Sequence, residues 1–122
     1  LTPPVRCHYC INVLIHWIVM KRRPPLTEQE KQDALDALAS ALHALKSPAE
    51  VRAFLDDLCT PAELEAMADR WRVVPYLLDG VPYREIHDRT LVSVTTIGRV
   101  ARTLERGAGG YGAAVKRTAR AK

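Results

Sequence analysis

VPYREIHDRTLVSVTTIGRVARTLERG, residues 81–107, carries two helical patterns separated by a tight break. Pro82 suits a first helical turn, because the donor it lacks has no partner there. Tyr83 and Ile86 then anchor a short helix over about 83–89. Thr90-Leu91-Val92-Ser93 interrupts the pattern, and Ser93 can cap a second helix by accepting a backbone N–H. That helix is expected over about 94–106, with Val94, Ile97, Val100 (or Ala101) and Leu104 on its core side and Gly107 as its stop. A short helix, a tight turn and a capped helix make a helix-turn-helix. In such a unit the N-terminal side chains of the second helix meet base edges in the major groove of DNA. Here these are Thr95, Thr96 and Arg99, with Arg102 one turn later. Arginine can donate two hydrogen bonds to guanine, and threonine offers a hydroxyl and a methyl. Ser93, Arg84 and Arg106 complete the expected DNA-binding set. From Tyr83 to Arg106 five arginines face three carboxylates, a local net charge of +2. A plain helical hairpin with solvated arginines fits the same pattern, so the motif alone leaves both readings open.

Upstream, three helix starts follow one another. Thr27-Glu28-Gln29-Glu30 is a capping box, opening a helix over about 28–45 whose apolar stripe is Leu35, Leu38, Leu42 and Leu45. Ser47-Pro48-Ala49-Glu50 starts a second helix, which presents Val51, Phe54, Leu55 and Leu58. Thr60-Pro61-Ala62-Glu63 starts a third, with Leu64, Met67, Ala68, Trp71, Val74 and Leu78 on its expected core face and Gly80 beyond its end. Pro75 lies inside that helix and is expected to kink it. Cys59 reads as a small buried hydrophobe, Trp71 as packing, and His43 and His87 as surface residues. The chain is therefore read as all-α.

The 122 residues suggest one domain, and their 48% apolar and 26% charged composition is globular. Net charge is +4, unevenly spread. All 14 acidic residues lie between Leu26 and Arg106 with only 10 of the 18 basic ones, so the two ends are purely basic: Arg6, Lys21, Arg22 and Arg23, then Lys116, Arg117, Arg120 and Lys122. Such ends attract polyanions, although solvated tails look the same. The expected organisation is a leader over 1–25, a helical DNA-binding domain over 26–106, and a Gly-rich then basic mobile tail over 107–122. The change of character at Met20 suggests a natural start there, with 1–19 upstream sequence. The apolar run Ile11–Met20 is too short to span a bilayer, and no membrane partner is expected. Cys7-His8-Tyr9-Cys10, even with His16 nearby, lacks the second half of a zinc site, so no metal is expected. Three cysteines without a signal peptide fit a reducing cytoplasm.

TPAELEAMADRW (60–71), LLDGVPYREI (77–86), TIGRVARTL (96–104) and GAGGY (107–111) together resemble the Trp repressor superfamily, especially its YerC/YecD-type branch. The likeness covers roughly 26–111. It implies a helical chain that dimerises by interlacing its N-terminal helices, which agrees with three apolar stripes too wide for one small chain to bury. A twofold dimer would set two recognition helices about 34 Å apart on a palindromic operator. The expected function is thus a sequence-specific, DNA-binding transcriptional regulator, of repressor sign, working as a homodimer on double-stranded DNA. The resemblance also implies a candidate effector pocket at Thr60, Arg70 and Arg99, where L-tryptophan or another small co-repressor would sit. Two departures stand against tryptophan and against the usual turn. Val100 replaces the glycine that leaves room for the indole, and Leu91 stands where the family often has glycine. A left-handed leucine costs about 1–2 kcal/mol. The alternative for the pocket is that Arg70 pairs with Glu63 or Asp69, leaving Arg99 to phosphate.

Two other functions compete. A protein-docking accessory of the transcription machinery would show weak salt dependence and no sequence preference on DNA. A helical enzyme of chorismate mutase type would need cationic side chains on the apolar faces of long helices, and the sequence shows no acid–base or nucleophile constellation.

Overall fold

The computed structural model describes residues 24–120, so Cys7, His8, Cys10, His16, Met20, the first basic cluster and Lys122 lie outside the described residues. Six helices follow in order: α1 Glu28–Ala44, α2 Pro48–Leu58, α3 Pro61–Leu78, α4 Tyr83–Thr90, α5 Val94–Arg106 and α6 Gly110–Arg120. The described residues contain no strand. None of these helices is long and apolar enough to cross a membrane. α1 belongs to one compact unit, ending at Lys46, and α2–α6 form a second, Ser47–Lys122. That boundary falls inside the stretch expected as one domain.

Local chemistry sets the helix starts. At α1 the Glu30 amide donates to Thr27 Oγ1 (3.1 Å) and the Thr27 amide donates to Glu30 Oε2 (2.7 Å). The same reciprocal pair opens α3, where Glu63 N reaches Thr60 Oγ1 (3.3 Å) and Thr60 N reaches Glu63 Oε2 (2.8 Å). Each box satisfies two amides that no helical carbonyl can reach. Hydrogen bonds from the Thr60 backbone amide, and next from the Thr60 side chain, hold the Glu63 carboxyl below its ordinary pKa, since both favour the charged form. α3 ends in a Schellman motif: Gly80 takes φ 73°, its N–H donates to Leu77 O, and Val81 N donates to Tyr76 O. Pro75 leaves the Trp71 carbonyl without its helical donor, yet α3 runs through it unbroken to Leu78.

The core of the second unit is Val73 and Val74 from α3, Ile86 from α4, Val92 from the turn, and Ile97 and Val100 from α5. Tyr76, Leu77, Leu104, Tyr111 and Val115 pack around it. Three expectations shift here. The buried edge of α3 is Val73–Val74, the residues that face the α4 and α5 core, while Met67, Trp71 and Leu78, expected inside, are exposed. Val94, expected on the core side of α5, is 49% exposed. Residues 110–120 are helical rather than a mobile tail: α6 lays Tyr111 and Val115 on the core, and Tyr111 stacks on Trp71 with ring centroids 6.3 Å apart. α1, described by itself, has no buried residue, and Leu35 on its stripe is 58% exposed.

Candidate nucleic-acid interface

The angle between α4 and α5 is fixed by hydrogen bonds as well as by the core. Leu91 closes α4 in the left-handed region at φ 62°, its N–H donating to His87 O (2.8 Å). The buried Thr90 hydroxyl donates to Ile86 O (2.7 Å) and accepts from Val92 N (3.2 Å). His87 Nδ1 lies 2.7 Å from Val92 O, so that nitrogen carries the proton and donates. Arg72 of α3 donates to the Thr90 carbonyl. Every residue from Thr90 to Val92 is thereby tied to α3 or α4. His87, read from sequence as a surface residue, is a brace of the turn. No periodicity marks this role, because its partner is a backbone carbonyl.

Ser93 then caps α5. Its Oγ accepts from Thr96 N (3.2 Å) and donates to Thr96 Oγ1 (2.9 Å). Of the expected contact residues, Ser93 and Thr96 thus serve the cap, and Thr96 is half-buried. Thr95, Arg99, Arg102 and Arg106 are exposed, and their spacing of four, three and four places them on one face of the helix. Ile97, Val100 and Leu104 hold the opposite face to the core. Arg84 is exposed at the second position of α4. Two carboxylates of this region are engaged elsewhere, Glu85 with Arg89 and Asp69 with Arg72. Among the described residues, no ion pair engages Arg84, Arg99, Arg102 or Arg106.

Tyr83, expected only as an apolar anchor, is 43% exposed. A Cβ on Gly98 would lie 3.8 Å from its ring and 3.6 Å from an Arg102 guanidinium nitrogen. The Tyr83 ring and the Arg102 guanidinium thus both approach Gly98 on α5.

The effector residues are less gathered. Thr60 commits both its hydroxyl and its amide to the α3 cap. Arg70 is half-buried and Arg99 exposed, while Val100 is fully packed in the core. Neither acid proposed for Arg70 pairs with it: Glu63 serves the cap and Asp69 meets Arg72 (3.5 Å). A cavity of about 690 Å³ between α2 and α3 is lined by Leu55, Cys59, Leu64, Met67 and Trp71 among others, and by none of the three effector candidates. Cys59 is half-buried there, with Sγ 4.0 Å from Met67 Sδ. Among the described residues no cluster of His, Cys, Asp or Glu is placed to hold a metal.

Known proteins resemble this chain in sequence and in fold. The chain is 39% identical over 83 residues to YerC, an uncharacterised protein of Bacillus subtilis (strain 168), spanning 68% of this chain and 80% of that one. It superposes on a crystal structure of a candidate Trp repressor from Staphylococcus aureus with TM-score 0.66 and 33% identity, covering 76% of this chain and 95% of the other. Residues 33–119 match the Trp repressor protein family. That match takes in both the braced helix-turn-helix and the helix found beyond it, and on these grounds the chain belongs to the Trp repressor family.

Proposed function

We propose that this protein is a sequence-specific, DNA-binding transcriptional regulator that inserts α5 into the major groove. The observation that carries the reading is the face Thr95–Arg99–Arg102–Arg106, whose arginines form no ion pair among the described residues and which is held by a turn bonded at every residue. Arginines on a rigid helix suit both phosphate neutralisation and bidentate recognition of guanine. Family membership supports repression as the sign, and a DNA partner implies action in the cytoplasm. The reading assigns the chain no catalysis.

The active species is proposed to be a homodimer. Leu26 and Leu35 in the first unit, and Leu58, Met67, Trp71 and Leu78 in the second, are all more than a third exposed. Exposed apolar side chains of this size form a protein–protein contact surface where they are contiguous. A second copy would cover them and set two α5 helices one DNA turn apart.

The test is fluorescence anisotropy of the full chain on a duplex it selects from a randomised pool and on a scrambled duplex, each titrated with salt. Tighter binding to the selected sequence, falling steeply with salt, is the expected result. Equal, weak binding to both would refute the reading and favour a protein-docking role.

A further inference from the structure

We propose that Leu91 is a specificity residue that reads thymine methyl groups beside the recognition helix; the inference rests on the DNA-binding reading above. Leu91 is the only non-glycine residue with positive φ among the described residues. It is 83% exposed, the highest value among the exposed large apolar side chains. Glycine would adopt this conformation without steric penalty, whereas a branched side chain there is strained. Burial within the chain offsets none of that strain. A strained position that keeps a large apolar group in solvent points to a contact outside the chain.

The surroundings say what that contact is. Leu91 stands two residues before the α5 cap at Ser93, and Val94, three residues on, is 49% exposed. Two exposed apolar side chains therefore stand at the end of α5 that faces base edges in this motif, next in sequence to the exposed Thr95. Phosphate offers nothing to a leucine. The apolar group that the major groove presents is the thymine C5-methyl. Bonds at His87, Thr90 and Val92 hold the backbone on both sides of Leu91, so its side chain is presented from a fixed base.

The experiment replaces thymines one at a time by deoxyuridine, which deletes only the methyl, in the duplex that the full chain selects from a randomised pool. Wild type should lose about three- to fivefold in affinity at one thymine per half-site, the effect of one buried methyl. Leu91→Gly and Leu91→Asn, both tolerant of the left-handed backbone, should bind that duplex with the same salt slope and lose the methyl sensitivity at that position. Leu91→Gly should also melt no lower than wild type. A deoxyuridine profile shared by wild type and both variants overturns the inference while leaving the DNA-binding reading standing. A wild-type chain that enriches no sequence refutes that reading itself, and the inference with it.

Discussion

Arg102 is the residue on which base preference should depend most visibly. It sits mid-face on α5, without an ion pair. Arg102→Ala should relax preference at one base pair by about 1–3 kcal/mol, the worth of a bidentate contact, as measured by competition with single-base variants of the selected duplex. Glu63 makes a different prediction, about acid stability. Its pKa is lowered in the folded chain by the Thr60 bonds. The stabilisation is therefore complete above the unfolded value, near 4.5, and is lost as pH falls through the lower folded value. Urea midpoints followed from pH 6 down to about pH 3 should fall less for Glu63→Gln than for wild type, since the amide cannot titrate. Gly107 is constrained by space alone: a Cβ there would lie 2.5 Å from Thr103 O and 2.8 Å from its Cγ2. Gly107→Ala should destabilise by about 1–3 kcal/mol through forced displacement of the α5 end, readable by chemical denaturation.

At the scale of elements, the legible features were the ones settled within four or five residues. Capping boxes at Thr27 and Thr60, the Ser47 and Ser93 caps and the Gly80 stop all depend on short-range geometry, and they sit in the structure where the residues indicated; Leu91, whose side chain argued against the usual turn, nevertheless takes the left-handed conformation at φ 62°. What escaped reading was decided by distant partners. Gly109-Gly110 reads as a breaker, and the basic residues after it as a tail. Gly109 does turn the chain, at φ 84°, but Tyr111 and Val115 then find the core and Trp71, and tertiary contact overrides weak propensity. The buried edge of α3 was displaced for the same reason: Val73 and Val74 are adjacent in sequence, and only the position of α4 and α5 selects them over Met67 and Leu78. Arg72 and Thr90, which lock the turn, meet across 18 residues. Tyr111→Ala should accordingly lower stability by about 1–3 kcal/mol, combining the burial it forfeits with the stacked pair, and disordered behaviour of residues 110–120 is not expected in hydrogen exchange.

For the molecule as a whole, charge distribution separates grip from reading. α6 carries Lys116 and Arg117, both exposed, at a distance in sequence from the α5 face. Lys116→Gln with Arg117→Gln keeps the helix and removes two charges. If α6 touches phosphate, the slope of log K against log salt should fall by about one for each phosphate no longer neutralised, while the preferred sequence stays the same. A changed preference would place these residues on bases instead. If the buried Val100 occupies the space that the resemblance assigns to an indole, L-tryptophan should leave DNA affinity unaltered in the same titration.

α1, with no buried side chain of its own, has a further consequence. Seventeen residues of helix gain little from packing within one chain, and an isolated helix of that length is marginal in water. If a second copy supplies the covering surface, the order of α1 becomes a bimolecular quantity: refolding acquires a second-order phase, and the melting midpoint climbs with chain concentration. Occupancy of a DNA site would then rise more steeply than linearly with the amount of protein made.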